Sequence, residues 1–320
     1  MENEPIKLTQ ADGFIKNDPN NYFLSEPLRK AVEVALLLKQ PLILTGEPGT
    51  GKTQLAYKLA SQLSEQTKGE FHDKPLEFHT KTTTTAKDLF YSYDAIGHFR
   101  DSNVSDKKAA GAADYISLEA LGKAIAMTNK DYLSSKNSLI PEVKNAMSSV
   151  VLIDEIDKAP RDFPNDILNE IEAFQFTVKE LRERVQKSDD KRILIIMTSN
   201  SEKSLPAPFL RRCVFYHIPF PETEDLIKIV SNKIKAIGEL PKEKVKAAIE
   251  HFNGLREKVK KKQPATSELI SWMHVLEIEK FFEGDTDFND LSPEQKNILK
   301  FSYSVLLKDK DDLKELSEEL

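Results

Sequence analysis

The chain has 320 residues, 31% of them charged, and a formal net charge of -6. That length suits one large α/β domain and a smaller one, and the acidic balance argues against bulk attraction to nucleic acid. The single cysteine, Cys213, excludes an internal disulfide and a cysteine-built metal site, and fits a reducing cytoplasm.

The first ten residues lack the basic start and apolar run of a signal peptide. Residues 31–38 read as the end of a helix that Pro41 stops. Leu42, Ile43 and Leu44 then form a short buried strand. The apolar stretch over residues 31–44 is broken by Glu33, Lys39 and Gln40, and falls short of the roughly 20 residues a membrane helix needs. Residues 46–51 form a turn-rich loop and residues 53–63 a helix. Further strands are expected at residues 76–78, 150–153, 193–197 and 214–218. Residues 101–114 are polar and read as a loop. Short apolar strands separated by helices imply a parallel sheet covered on both faces. After Pro219 and Pro221 the period becomes helical, with Leu226, Ile227 and Val230, then Leu269, Trp272, Met273 and Leu276, then Ile298, Phe301, Val305 and Leu306. The expected division is therefore residues 1–220 as an αβα core and 221–320 as a helical domain. Lys258, Lys260, Lys261 and Lys262 form the one basic cluster, expected as a solvated helix end before Pro264.

Gly46-Glu47-Pro48-Gly49-Thr50-Gly51-Lys52-Thr53 fits the phosphate-loop pattern, between a strand and a helix as that motif requires. Its backbone N–H groups curl inward toward phosphate oxygens, and the helix that follows, with Thr53 and Gln54 in its first turn, adds its positive end. Lys52 is expected to reach the β- and γ-phosphates of ATP, and Thr53 to place its hydroxyl on Mg²⁺. The strand at residues 150–153 ends in Asp154 and Glu155. Asp154 is expected to hold the Mg²⁺ through water and Glu155 to activate the attacking water as general base. The strand at residues 193–197 leads to Asn200, whose amide suits a contact to γ-phosphate and water, or a turn cap. Arg211 and Arg212 offer a planar, permanently charged fork to a transferring phosphoryl group. The residues alone leave open whether either arginine acts on a neighbour's nucleotide or pairs with a local carboxylate.

These segments together resemble the AAA+ ATPases, and among them the MoxR-like branch. The resemblance runs from about Tyr22 to about Lys310, on GEPGTGKT, TTTTAKDLFYSYDAIGHFRD, VVLIDEIDKAPRDFPNDILNEIE, IIMTSN and LPAPFLRRCVFYHIPFP. It implies a three-layer αβα core with a five-stranded parallel sheet, a helical lid, an insertion at about residues 95–118 and a hairpin within residues 174–190. It implies Walker A at Lys52 and Thr53, Walker B at Asp154 and Glu155, and sensor 1 at Asn200. It also implies an arginine finger acting in trans at Arg212, with Arg211 as understudy, in a ring, usually a hexamer. Glu268 stands where many relatives carry the lid arginine called sensor 2, and a carboxylate cannot pair with phosphate. The stretch 266–268 reads instead as a helix N-cap, with Lys262 as a candidate substitute cation. The activity implied is Mg²⁺-dependent ATP hydrolysis driving a remodelling or assembly chaperone on a protein client, with a separate von Willebrand factor A domain partner. Alternatives are an ATP-gated module of a defence system, a nucleic-acid-stimulated motor, which the acidic balance disfavours, and a small-molecule kinase, which the Asp154–Glu155 pair and Asn200 disfavour.

Overall fold

A computed structural model describes residues 18–102, 111–200, 205–284 and 286–320. Among the described residues the chain divides into two compact units: residues 24–46 with 52–218, and residues 18–23 with 47–51 and 219–320.

The first unit is built on a five-stranded parallel sheet. Its strands are β1 (Leu42–Thr45), β2 (Leu76–His79), β5 (Ser149–Asp154), β8 (Ile193–Thr198) and β9 (Val214–His217), in the spatial order β2-β5-β8-β1-β9. Two antiparallel hairpins lie outside it, β3 (Tyr91–Tyr93) with β4 (Ile116–Leu118), and β6 (Gln175–Val178) with β7 (Glu183–Gln186). The helices of this unit are α1 (Glu26–Leu38), α2 (Lys52–Gln66), α3 (Ala95–Ser102), α4 (Ala120–Thr128), α5 (Lys130–Ser134), α6 (Phe163–Ala173) and α7 (Ala207–Leu210).

Strand periodicity explains the layers. Ile43, Val151, Ile153, Ile195 and Met197 point into one apolar cluster with Leu121, Ile125, Ile167 and Leu168 of α4 and α6. Their neighbours Leu42, Leu44, Val150, Leu152 and Ile196 are equally buried, so they face the other side, where α1 and α2 pack on the sheet. Such two-sided burial is why the strands read as unbroken apolar runs.

At its described ends, residues 101–102 and 111–114, the polar stretch is more structured than a loop. Asp94 accepts a hydrogen bond from the Gly97 amide at 2.8 Å and starts α3, which runs on through Asp101 and Ser102. The Tyr115 hydroxyl donates to Asp101 at 3.0 Å, and a 3-10 turn occupies Ala112–Tyr115. Side-chain capping overrides a composition that by itself signals a loop. Residues 103–110 of the expected insertion lie outside the described residues.

The second unit carries α8 (Thr223–Lys233), α9 (Lys235–Gly238), α10 (Lys242–Lys258), α11 (Thr266–Ile278), α12 (Pro293–Leu306) and α13 (Lys310–Glu318). No strand occurs among its described residues. Leu226, Val230, Phe252, Leu269, Trp272, Met273 and Leu299 form its core. Several polar groups inside that core are paired. The Trp272 indole donates to the Ser302 hydroxyl at 2.9 Å, and Ser302 donates to the Leu299 carbonyl at 3.0 Å. His251 stacks on Phe288 with ring centroids 4.7 Å apart, and its Nε2 lies 2.7 Å from the Tyr303 hydroxyl. Burial pushes the His251 imidazole down to about 4. The lysine cluster lies at the exposed end of α10, as expected, and adds surface ion pairs. Lys258 pairs with Glu319, Lys260 with Glu315 and Lys261 with Asp309, so these charges are matched by α13 and the turn before it. No described helix is long and apolar enough to cross a membrane.

Candidate active site at the carboxyl ends of the strands

In a parallel sheet every carboxyl end lies on one edge, so residues distant in sequence meet there. β1 leads into the glycine-rich loop, β5 ends in Asp154 and β8 in Thr198. The positive φ angles of Gly49 and Gly51, 79° and 84°, are ones a side-chain-bearing residue rarely adopts. They turn the loop so that α2 begins at Lys52. Lys52 is 5% exposed, and its ammonium donates to the Gly46 carbonyl at 2.9 Å. A buried ammonium tied back to its own loop spans the space the loop encloses, where phosphate oxygens are its natural partners. Thr50 closes the loop from its other end, donating to the Glu47 carbonyl at 2.9 Å.

Thr53, on the first turn of α2, donates to Asp154 Oδ1 at 3.1 Å. Thr198 donates to the same oxygen at 2.5 Å, and His79 Nδ1 lies 3.5 Å from Oδ2. Glu155 adopts a left-handed backbone, φ 56° and ψ 51°. Its amide donates to the Thr198 hydroxyl at 2.9 Å. Its two carboxylate oxygens accept from different partners, Oε1 from the Asn200 amide at 3.1 Å and Oε2 from the Lys158 ammonium at 2.5 Å. That bond to Glu155 is the chief cause holding the Lys158 ammonium above its ordinary range, against a partial loss from desolvation.

Thr53, Asp154, Thr198, Glu155 and Asn200 thus form one connected hydrogen-bonded cluster at this edge. Thr53 and Asp154 present hard oxygen ligands side by side. Among the described residues no group of three or more His, Cys, Asp or Glu could hold a metal ion. An ion here would take its other ligands from water and phosphate, which is how Mg²⁺ is bound beside a nucleotide.

Arg212 follows α7 and is exposed. Its Nε lies 3.2 Å from Glu172 Oε1, near the end of α6, so within a single chain it has a local carboxylate partner. Arg211 is also exposed. Between them and β9, Cys213 is largely enclosed, and burial pushes its thiol up to about 12.

In the second unit, Glu268 lies in the first turn of α11, and its carboxylate accepts from the Ala265 amide at 3.2 Å and the Ser267 hydroxyl at 2.9 Å. It caps the helix, with Ala265 rather than Thr266 at the N-cap position. Lys262 is exposed. The cation engaged with the loop apex is Arg256, which donates to both carboxylate oxygens of Glu47 at 2.8 Å. Arg256 also lies 3.9 Å from the Phe220 ring centroid and donates to the Pro264 carbonyl at 2.5 Å.

Thr198, Lys158, His79 and Arg256 escape a motif-based reading. Thr198 lies inside the IIMTSN segment, where a hydroxyl closing an apolar strand is the only signal. Arg256 is 209 positions from Glu47, and nothing local links them.

A glycine-rich loop joining a strand to a helix, beside an acid at the end of a nearby parallel strand, defines a P-loop nucleotide-binding αβα protein. The sheet order β2-β5-β8-β1-β9 and the helical C-terminal region give it the AAA+ form of that fold. A family model described as "AAA domain (dynein-related subfamily)" matches residues 41–213, more than half of the chain, and the chain belongs to that family. Its members are typically ATPases. A solved structure of a Thermotoga maritima RuvB variant is similar at 14% identity, covering 88% of this chain and 74% of that one, with a TM-score of 0.37. No curated protein matches the chain.

Proposed function

We propose that this chain binds ATP with Mg²⁺ and hydrolyses it. Lys52 binds the β- and γ-phosphates, helped by the inward N–H groups of residues 46–51 and the start of α2 through Gln54. Thr53 and Asp154 hold the ion, whose charge offsets that developing on the transferring phosphoryl group. Glu155 orients the attacking water and takes its proton on a carboxylate oxygen. Asn200, bonded to Glu155, also orients that water. The observation that carries this reading is the hydrogen-bonded cluster of Thr53, Asp154, Thr198, Glu155 and Asn200 at the strand ends, beside a complete phosphate loop.

We further propose that the site is completed by a neighbouring copy in a ring, a hexamer by analogy with relatives, with Arg212 supplying the guanidinium in trans and Arg211 as understudy. Arg212 must then exchange Glu172 for the neighbour's nucleotide. Exposed ion pairs contribute about 0–1 kcal/mol, so that exchange costs little. Residues 1–220 act as the nucleotide-binding core and 221–320 as the lid. The MoxR-like segments support a remodelling or assembly role on a protein client in the cytoplasm, with a separate von Willebrand factor A domain partner.

The test is ATP hydrolysis against protein concentration for the wild type, Glu155→Gln and Lys52→Ala. The expected result is specific activity that rises with concentration and falls about 100-fold or more in Glu155→Gln, which still binds ATP. Lys52→Ala is expected to lose nucleotide binding. Turnover in Glu155→Gln equal to wild type would overturn the assignment of the base. Activity independent of concentration in a protein that sizes as a monomer would overturn the ring.

A further inference from the structure

Thr198 is the last residue of β8, a central strand between β5 and β1, and is 1% exposed. A hydroxyl has one proton to donate and two lone pairs to accept with. Here the proton goes to Asp154 Oδ1 at 2.5 Å and a lone pair takes the Glu155 amide proton at 2.9 Å. A single buried oxygen therefore touches both acids of the site.

We propose that Thr198 is a positioning residue for the hydrolysis inferred above, a proposal that rests on that reading. Its hydroxyl fixes the rotamer of the Asp154 carboxylate and the turn that aims Glu155. The left-handed backbone of Glu155 is strained for a non-glycine residue and persists only where its surroundings hold it. The Glu155 amide has its partner in Thr198. With that bond lost, the turn is free to relax toward ordinary backbone angles and swing the carboxylate away from Asn200. The other holders of Asp154 are less suited to the task. Thr53 is the hydroxyl assigned to the metal, and the side chain of His79 is 65% exposed and 3.5 Å away. Thr198 is itself held by the sheet, since it registers with Leu44 of β1 and the next amide, Ser199, donates to the Leu44 carbonyl at 2.9 Å. The stiffness of β1 and β8 is thereby delivered to two side chains on β5 and the turn after it.

The experiment compares wild type, Thr198→Val, which keeps the shape and removes the hydroxyl, and Thr198→Ser, which keeps the hydroxyl. Turnover at saturating Mg²⁺ and ATP, binding of a fluorescent ADP analogue in EDTA, and amide hydrogen exchange over residues 154–158 are measured in each. In Thr198→Val, kcat is expected to fall roughly ten- to hundredfold, the scale of a misplaced catalytic group. The half-saturating Mg²⁺ concentration rises, the 154–158 amides exchange faster, and binding in EDTA stays within about twofold of wild type. Thr198→Ser restores most of kcat and the slow exchange. The proposal is overturned by a kcat in Thr198→Val within about twofold of wild type. It is equally overturned if binding in EDTA falls in step with kcat, or if Thr198→Ser is as impaired as Thr198→Val, because either would mean a general packing role. A wild type that does not hydrolyse ATP sinks the ATPase reading instead. The exchange arm then still decides whether Thr198 holds the turn, since unchanged exchange at residues 154–158 in Thr198→Val would overturn it.

Discussion

The two units put polar side chains to opposite uses. In the sheet unit a set of polar groups collects at the carboxyl ends of the strands, around a residue held in a strained turn. Thr53, Asp154, Thr198, Glu155 and Asn200 bond to one another there. The helical unit instead takes polar groups inside, where His251, Tyr303, Trp272 and Ser302 are each paired in place. A parallel sheet has one edge at which loops can present side chains to a ligand, whereas a helical bundle has no such edge and uses polar groups to specify packing. The comparison teaches that the same hydroxyl–acceptor chemistry lines the proposed nucleotide site in one unit and specifies packing in the other.

That contrast can be broken by substitutions in the helical unit, which should change stability and leave the strand-end site intact. The largest effect is expected from Phe252→Ala. Phe252 is fully buried and stacked on Phe220 at 6.4 Å, so the loss should be about 3–5 kcal/mol. Urea unfolding followed by the fluorescence of the sole tryptophan, Trp272, reports on this unit directly. A loss below about 1 kcal/mol would mean the core re-forms around the gap.

The next effect is set by pH. His251 titrates at about 4 in the folded chain against an ordinary 6.5. Between those values the unfolded chain binds a proton that the native chain does not, so stability is full above about pH 6.5 and falls as pH drops toward 4. A shift of this size corresponds to about 3 kcal/mol. Unfolding curves of wild type and His251→Phe across this window check the sign, since the variant should lose less stability on acidification. A parallel fall in both would assign the loss to other groups.

The smallest effect is expected from Ser302→Ala, which leaves the buried Trp272 N–H without its acceptor. The cost should be roughly 1–3 kcal/mol, with a shift in tryptophan emission and no change in nucleotide turnover. A change in turnover at unchanged stability would erase the distinction between the units.

Much of this protein is written locally. The phosphate loop can be read because its chemistry depends on eight consecutive residues whose backbone both builds and lines the site. The five strands can be read because two-sided burial demands unbroken apolar runs, and each lies within a residue or two of its expected span. The helical period after residue 219 is equally local. Pairings between distant segments lie beyond that reach. Thr198 lies 44 positions from Asp154, Lys260 lies 55 from Glu315 and Arg256 lies 209 from Glu47. A hydroxyl, a lysine or an arginine is compatible with solvent, a cap or a site until folding supplies its partner. Residue order along the chain thus determines which backbone segments can curl around phosphate or bury both faces. Which side chain meets which at the strand ends is decided only once β5, β8 and β1 lie side by side, because parallel pairing alone brings their carboxyl ends to one edge.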